Sequence, residues 1–315
     1  MMKRSIRNIL RLLRPRQWIK NLAIFGAATF GGELFNPPVL LTVFIGFLIF
    51  CAISSGIYII NDIFDREKDK LHPFKRFRPL AHGDISLRVA IFLAVLLIGT
   101  ATIASYFINP AFFSITMIYL ILQFSYSAFL KHITVIDILA LAGGYILRVY
   151  AGEFASSYHI SVWLLLTTIS LSLFLAIGKR RSELTLISTY SSAQIAAIRK
   201  TLSHYSDRLL DVYASIFATS TFITYSLFTF FQDETSLAIT NQLLLPDYLP
   251  NYLNRKWLML TIFPVVYGLM RYLQDIYEKH EGESPERVIV SDKPLLANVI
   301  LWVFLIIFII YVLGA

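Results

Sequence analysis

Four polar side chains at the end of a long apolar stretch have the types and the spacing of a metal site. Asn61, Asp62, Asp65 and Asp69 follow the apolar residues 39–60, and the aspartates are three and four positions apart. If a helix continues through them, their carboxylates share one face. Like charges repel unless a cation bridges them, and Mg²⁺ suits oxygen ligands and completes its shell with phosphates. The spacing therefore predicts a magnesium diphosphate site with these four residues as metal ligands.

A cationic loop follows the acidic residues and is stiffened by prolines. Lys75, Arg76 and Arg78 lie between Pro73 and Pro79. Because lysine and arginine donate charge-assisted hydrogen bonds to phosphate oxygens, this loop is a candidate phosphate-binding segment. A simpler interpretation stays open, in which the acids form a solvated helix end that basic neighbours neutralise. Those neighbours are Arg66, Lys68 and Lys70.

The elements that must position these residues are predicted to be transmembrane helices. The 315 residues are 57% hydrophobic and 15% charged, with a mean hydropathy of +0.65, which excludes an ordinary soluble domain. A bilayer core about 30 Å thick needs about 20 apolar residues per helix. The runs are continuously apolar rather than alternating, so we expect an all-α polytopic fold instead of a β-barrel. The nine predicted spans are residues 21–36, 39–60, 87–108, 111–130, 134–152, 161–178, 209–231, 257–274 and 294–314.

The charges between the predicted spans indicate an orientation. Of the 28 lysines and arginines, 25 fall on the side that includes the N-terminus, which the positive-inside rule assigns to the cytoplasm. The net charge of +8 therefore requires no nucleic-acid partner. Residues 1–20 are predicted to form a basic interfacial helix and residues 61–86 a cytoplasmic active-site loop, within a single transmembrane domain of residues 1–315. The single cysteine, Cys51, excludes an intramolecular disulfide and cysteine-based zinc or iron–sulfur sites.

Charged residues within one predicted span mark a second candidate region. Asp137 and Arg148 are eleven residues apart, close to three helical turns. Both therefore face the same direction, about 16 Å apart along the helix axis. Because charges within a membrane are costly and commonly functional, both residues are predicted to line one cavity. A structural ion pair between Arg148 and Glu153 is the open alternative.

A third group of charges ends the sixth predicted span and consists of Lys179, Arg180, Arg181 and Glu183. The cationic members are candidates for positioning a phosphate group. Alternatively, they are stop-transfer charges, and Glu183 forms an ion pair with Lys179 one helical turn away.

The acidic and basic motifs together resemble a family signature. The pattern Asn-Asp-x-x-Asp-x-x-x-Asp from Asn61, followed by Arg-Pro-Leu-Ala-x-Gly from Arg78, is similar to the first signature of the UbiA superfamily of intramembrane prenyltransferases. The resemblance covers essentially the whole chain. It implies nine transmembrane helices around a central cavity that opens to the cytoplasm and, laterally, to lipid, and the span count agrees.

Further stretches look most like the decaprenyl-phosphate phosphoribosyltransferase branch of that superfamily. Ordinary members carry a second aspartate-rich motif where this chain has the basic stretch of residues 178–184. One acidic and one basic motif suit two separately phosphorylated substrates. The resemblance therefore implies Mg²⁺-dependent transfer of 5-phosphoribosyl from phosphoribosyl diphosphate to a polyprenyl phosphate of the decaprenyl type. The stretches that carry this resemblance are residues 14–21, 126–132 and 178–184.

The resemblance also implies residue roles and a location. Diphosphate would be released at the cytoplasmic face of a bacterial inner membrane, where the product would serve cell-wall or lipid-linked arabinose precursor synthesis. The residues implied in catalysis are Asp62, Asp65, Lys179 and Arg180. The residues implied in substrate binding are Lys20, Asn61, Asp69, Lys75, Arg76, Arg78, Tyr126, Lys131, Asp137, Arg148 and Glu183.

Two other functions stay open from the sequence. In an aromatic prenyltransferase of the same superfamily, the acidic residues would ionise a prenyl diphosphate and an aromatic acid or quinone precursor would capture the allylic cation. The basic replacement of the second aspartate motif counts against this function. A lipid or solute transporter would also explain many spans and buried charges, but the paired broken helices typical of transporters are not evident in the sequence.

Overall fold

The computed structural model describes residues 2–71, 75–186, 204–232, 257–278 and 285–313, which form helices joined by short turns. No strand occurs within those ranges, as the continuous apolar runs predict, because a helix satisfies its backbone hydrogen bonds within its own segment. In chain order the α-helices are α1 (Met2–Leu13), α2 (Gly26–Phe30), α3 (Pro37–Phe64), α4 (Arg66–Leu71), α5 (Pro79–His82), α6 (Leu87–Tyr106), α7 (Pro110–Ala128), α8 (Ile136–Ser156), α9 (Val162–Leu186), α10 (Asp207–Phe231), α11 (Ile262–Glu278), α12 (Pro285–Ser291) and α13 (Lys293–Ile307).

Seven of these helices are long and apolar enough to cross a membrane, judged by length and composition. They coincide with seven of the nine predicted spans, which confirms the all-α class. They are α3, α6, α7, α8, α9, α10, and α13 together with its π-helical continuation Phe308–Leu313.

The other two predicted spans are not uniform α-helices. Residues 21–36 contain the end of a 3-10 segment, Pro15–Phe25, and then the five-residue α2, which gives way to a turn where Gly32 has a φ of 76°. Residues 257–274 begin with a 3-10 turn before α11. Pro264 lacks a backbone N–H and is tolerated only in the first helical turn, so the α-helix starts at Ile262. The count of nine transmembrane helices stays a prediction.

The chain divides into two compact units. Unit 1 comprises Met1–Phe25, Leu41–Ala155 and Tyr190–Tyr205, and unit 2 comprises Gly26–Leu40, Ser156–Thr189 and Ser206–Ala315. Unit 1 therefore holds α1, most of α3 and the helices α4 to α8. Unit 2 holds α2 and the helices from α9 onward.

In unit 1, a small apolar cluster fixes α1 and α5 against the C-terminal part of α3. Its buried side chains include Leu12 from α1, Ile59 from α3 and Leu80 from α5, and α6 contributes Ala90 and Ala94. Removing these side chains from water stabilises the contact by about 25 cal/mol for each Å² of apolar surface. The N-terminal segment and the loop after α4 are thereby held beside the same turn of α3.

The 3-10 segment Pro15–Phe25 lies between α3 and α8 because both helices carry small or polar residues there. Trp18 Nε1 donates to Ser55 Oγ at 2.9 Å, and that hydroxyl donates to the Leu13 carbonyl at 2.8 Å. On α8, a Cβ added to Gly152 would lie 2.0 Å from the Ile24 carbonyl oxygen, so only glycine permits this approach.

In unit 2, the helices α9 and α11 also approach closely at a glycine. A Cβ at Gly178 would come within 2.8 Å of Ile276 and 2.9 Å of Tyr272, so this glycine lets α11 contact α9 directly before the basic stretch begins. The core of this unit includes Tyr225 of α10, whose hydroxyl lies 2.6 Å from Thr261 Oγ1 and accepts a hydrogen bond from Trp302 Nε1 at 2.9 Å.

Substituting Gly152 tests this packing. Because a methyl group there would overlap backbone rather than a flexible side chain, we expect Gly152→Ala to lower the free energy of unfolding by about 1–3 kcal/mol. Gly99→Ala is the matched control, since a Cβ at Gly99 of α6 meets nothing within 4 Å. Alanine favours a helix over glycine by up to about 1 kcal/mol, so this control should melt at the same or a higher temperature. Equal melting temperatures for both variants in detergent would contradict the packing described.

Candidate active site

The three aspartates lie around the junction of α3 and α4, with Asp62 in the last turn of α3 and Asp69 in α4. α3 ends at Phe64 and α4 begins at Arg66, with Asp65 in the turn between them. Helical bonding continues across the turn, because the Asp65 N–H donates to Asn61 O at 3.0 Å and the Asp69 N–H donates to Asp65 O at 2.8 Å. We call Asp62, Asp65 and Asp69 the acidic cluster.

Two arginines bind the buried end of the acidic cluster. Arg78 Nη1 donates to Asp62 Oδ1 at 3.0 Å and to Asp69 Oδ2 at 2.7 Å, so one nitrogen joins both carboxylates. Arg14 Nη2 donates to the same Asp62 oxygen at 2.5 Å. Asp62 is only 2% exposed and Asp69 only 4% exposed. Burial raises the pKa of Asp69, and the nearby Arg78 guanidinium opposes that rise.

The third carboxylate binds a lysine from a different helix. Lys131 follows α7 in a 3-10 turn, is itself buried, and donates from Nζ to Asp65 Oδ1 at 2.7 Å. Three carboxylates thus face three cations, and their formal charges cancel. We call Arg14, Arg78 and Lys131 the basic trio.

Both arginines of the basic trio precede a proline. Arg78 has φ −65° and ψ 140°, the extended conformation that the following Pro79 favours, and it leads into the buried first turn of α5. Arg14 precedes Pro15 and has a φ of 53°, in the left-handed region that favours glycine. Its guanidinium lies 5.3 Å from the centroid of the Tyr58 ring. Arg14 was not among the predicted site residues, and the repeated Arg-Pro dipeptide is the sequence signal that could have indicated it.

The chemistry of the acidic cluster fits Mg²⁺, because two of its carboxylate oxygens already share one positively charged partner, Arg78 Nη1. Asp62 Oδ1 and Asp69 Oδ2 both contact Arg78 Nη1, at 3.0 and 2.7 Å. A magnesium ion that replaced this nitrogen would draw both carboxylates inward, since Mg–O bonds are about 2.0–2.1 Å long. Mg²⁺ commonly takes only one or two carboxylates and completes its octahedron with waters and substrate phosphates. Within the described ranges, no three acidic, histidine or cysteine side chains are grouped as a self-sufficient metal site. The Asn61 side chain is half-buried and forms no hydrogen bond with another described residue.

The remaining predicted residues of the cationic loop and of α7 have different positions. Lys75 is half-buried, and its positive charge is a small influence that opposes the rise in the pKa of Asp69 caused by burial. Arg76 is exposed, and its guanidinium lies 4.8 Å from the Phe77 ring centroid. Tyr126 is half-buried near the end of α7. The structure therefore brings Arg78 and Lys131 to the acidic cluster, whereas Arg76 is exposed and lies against Phe77.

The two charges of α8 have separate partners. Asp137 is fully buried, and its Oδ1 accepts a hydrogen bond from the Tyr205 hydroxyl at 2.7 Å. The same Tyr205 oxygen accepts a hydrogen bond from the Val135 N–H at 2.7 Å. Asp137 is thus fixed at the start of α8, three helical turns from Arg148.

Arg148 is buried among neutral groups. Its Nε donates to Asn21 Oδ1 at 2.7 Å, Nη1 to the Gly144 carbonyl at 2.5 Å, and Nη2 to the Tyr119 hydroxyl at 2.6 Å. No carboxylate of the described residues lies within 4.0 Å of its guanidinium, so the alternative ion pair with Glu153 is not formed. Among the described residues, the positive charge of Arg148 is therefore hydrogen-bonded but not neutralised by a carboxylate.

Lys20 lies near Arg148 on the 3-10 segment. Its Nζ donates to Gln17 Oε1 at 2.7 Å and lies 6.0 Å from the centroid of the Tyr145 ring. The Arg148 guanidinium lies 5.8 Å from the same ring centroid. Two cations thus approach one aromatic ring, which attracts positive charge through its quadrupole.

The basic stretch of unit 2 contains its own ion pairs. Arg180 is completely buried and donates to Glu183 Oε2. Arg181 Nε donates to Asp211 Oδ1 of α10 at 2.8 Å. Lys179 is half-buried. The cationic side chains predicted to position a phosphate therefore stand at the end of α9, with Glu183 bound to Arg180.

The sequence matches a family model and several named relatives over most of its length. The model of the UbiA prenyltransferase family matches residues 22–289. A decaprenyl-phosphate phosphoribosyltransferase of Mycolicibacterium smegmatis is 33% identical over 305 residues, covering 96% of this chain and 92% of the relative. Another of that name from Corynebacterium glutamicum is 32% identical over 308 residues, covering 96% of this chain and 87% of the relative.

Solved structures share the fold. A UbiA homologue from Archaeoglobus fulgidus bound to GPP and Mg²⁺ superposes with a TM-score of 0.70 at 19% identity, covering 96% of this chain and 99% of that one. The same homologue bound to DMAPP and Mg²⁺ gives a TM-score of 0.69 at 20% identity, covering 97% and 99%. At these identities the likeness establishes the fold alone.

The left-handed backbone at Arg14 leads to a prediction that separates backbone strain from charge. Arg14→Gly and Arg14→Ala both remove the guanidinium, but only alanine retains a strained φ. We expect the alanine variant to be less stable than the glycine variant by about 1–2 kcal/mol. Denaturant unfolding of both purified variants measures this difference. Indistinguishable unfolding curves would contradict the assigned backbone conformation.

Proposed function

The chain belongs to the UbiA prenyltransferase family, and on that premise we propose that it transfers 5-phosphoribosyl from phosphoribosyl diphosphate to a decaprenyl-type polyprenyl phosphate. It is a transferase, and its apolar helices make it a multi-pass membrane protein. The observation that carries the proposal is the neutral pairing of the acidic cluster with the basic trio. Relatives matched over nearly their whole length are named for phosphoribosyl transfer to decaprenyl phosphate, which supports the proposed transfer and acceptor.

The acidic cluster and the basic trio supply both halves of a diphosphate site. Asp62 and Asp69 would hold Mg²⁺, with Asp65 and Asn61 as further proposed ligands. When bound, the metal would neutralise charge on the leaving diphosphate. Each cation of the basic trio can transfer its hydrogen bonds from a carboxylate to a phosphate oxygen, because both acceptors are anionic and make charge-assisted bonds of similar length. Lys75 and Arg76 would add outer contacts to the phosphates.

The proposed reaction is a displacement at C1 of the ribose. The bond from C1 to the diphosphate oxygen breaks, and its electron pair leaves with the diphosphate. An oxygen of the lipid phosphate forms the new bond to C1. The ribose carries positive charge in the transition state, while the basic trio stabilises the negative charge that develops on the leaving group. Since the acceptor phosphate is already anionic near neutral pH, no general base has to remove a proton from it.

We assign the acceptor phosphate to the basic stretch at the end of α9. Lys179 and the buried Arg180 would bind it, and Glu183 would release Arg180 to the phosphate. Binding the lipid from the membrane keeps its polyprenyl chain out of water, which the hydrophobic effect favours. The distribution of lysine and arginine between the predicted spans supports a cytoplasmic active site. The proposed location is a bacterial inner membrane, and the proposed use of the product is cell-wall or lipid-linked arabinose precursor synthesis.

Neutralising one aspartate tests the proposed function. We expect Asp62→Asn to lower diphosphate release at least about 100-fold, because even residues that only support a metal ligand commonly contribute 10–100-fold. Glu67→Gln is the matched control, since Glu67 lies in α4, is exposed and pairs with Lys70. It should retain activity within about twofold. The assay follows diphosphate release by purified protein with Mg²⁺, polyprenyl phosphate and phosphoribosyl diphosphate.

A parallel assay supplies a prenyl diphosphate and an aromatic acid instead. Release from this second pair only would refute phosphoribosyl transfer in favour of aromatic prenylation. Release from neither pair would refute both, and full activity of Asp62→Asn would remove the acidic cluster from the mechanism.

A further inference from the structure

The buried positive charge of Arg148 has no role in the diphosphate site just described. Arg148 is 4% exposed and lies in a membrane-crossing helix, where an unneutralised charge is costly. Its hydrogen bonds to Asn21, Gly144 and Tyr119 use three of the five N–H groups of the guanidinium. Two N–H groups are left that do not bond a described residue. A small anion could therefore bind this guanidinium without displacing Asn21 or Tyr119.

A continuous chain of side chains connects Arg148 to the acidic cluster. Arg14, which binds Asp62, lies against the Tyr58 ring, and the Tyr58 hydroxyl donates to Gln17 Oε1 at 3.3 Å. Gln17 also accepts the hydrogen bond from Lys20. Lys20 in turn approaches the ring of Tyr145, which the Arg148 guanidinium also approaches. All of these residues belong to unit 1.

The α3 residues beside the two ends of this chain are about two helical turns apart. Asn21, the partner of Arg148, accepts a hydrogen bond from Ser54 Oγ at 3.4 Å. Ser54 precedes Asp62 by eight residues, or about 12 Å along a helix axis. We call the connecting residues the polar strip; they are Arg14, Tyr58, Gln17, Lys20 and Tyr145. Cations at both ends of this strip suit a ligand with a phosphate at each end and hydroxyl groups between them.

We propose that Lys20 and Arg148 bind the 5-phosphate of the donor and thereby select phosphoribosyl diphosphate over a prenyl diphosphate. This inference rests on the proposed function and adds the specificity determinant to it. A 5-phosphate would neutralise Arg148, and the half-buried amide of Gln17 lies between the two phosphate positions, where the ribose hydroxyls would bind. A prenyl chain in the same place would leave the buried charge unpaired against hydrocarbon, which disfavours that substrate.

The test uses two fragments of the donor as separate probes. Ribose 5-phosphate carries only the group assigned to Lys20 and Arg148, whereas inorganic diphosphate with Mg²⁺ carries only the group assigned to the acidic cluster. We expect Lys20→Gln and Arg148→Gln to weaken ribose 5-phosphate binding at least about tenfold, the size of one lost charge-assisted hydrogen bond. Diphosphate binding should stay unchanged in both variants.

Controls keep the result interpretable. Arg88→Gln removes an equal charge at an exposed position of α6 and should bind both probes as the unsubstituted protein does. If Arg148→Gln does not fold, Lys20→Gln decides, because Lys20 is only half-buried. Unchanged ribose 5-phosphate binding in the folded variants, or an equal loss of diphosphate binding, would overturn the proposal.

The outcomes also separate this inference from the proposed function. If the unsubstituted protein turns over phosphoribosyl diphosphate while both variants bind ribose 5-phosphate normally, only the assignment of Lys20 and Arg148 fails. If the unsubstituted protein turns over a prenyl diphosphate and binds no ribose 5-phosphate, the proposed function fails and this inference fails with it.

Discussion

The negative charge buried at Asp62 is the constraint on which the rest of unit 1 depends. A buried carboxylate without a partner is strongly destabilising, so the chain must bring cations to it. Arg14 and Arg78 do so from segments 48 residues before and 16 residues after it. The apolar contacts of α1 and α5 with α3 hold those segments in place. The same cations are of the types that bind phosphate oxygens, which is why the proposed function places the anionic donor beside them.

A second constraint is the opposite charge buried at Arg148. Glycine at position 152 lets the 3-10 segment approach α8, and this contact places Asn21 against the guanidinium. Whereas the basic trio pairs with the acidic cluster, Arg148 bonds amide, carbonyl and phenol groups of the described residues. Those residues supply no carboxylate to Arg148, and we propose that the second anionic group of the donor binds there.

The sequence predicted the local parts of this arrangement and missed the long-range ones. Helical spacing was enough to place Asp62 and Asp69 on one face, and continuous apolar runs located the membrane-crossing helices. The pairing of Lys131 with Asp65 joins residues 66 positions apart, and no periodicity encodes it. The left-handed turn at Arg14 and the 3-10 segment after it follow from tertiary contacts that override helix propensity. For the same reason Arg148 binds Asn21 and not the nearby Glu153.

In the proposed mechanism, binding of metal and donor separates the acidic cluster from the basic trio. The carboxylates then bind the metal, and the cations bind the donor phosphates. Electron paramagnetic resonance of Mn²⁺, as a substitute for Mg²⁺, can follow metal binding with and without phosphoribosyl diphosphate. Because phosphate oxygens would release the carboxylates from Arg14, Arg78 and Lys131, we predict that the donor tightens Mn²⁺ binding and that Mn²⁺ tightens donor binding by the same factor. Metal affinity that the donor leaves unchanged in the intact protein would contradict the account.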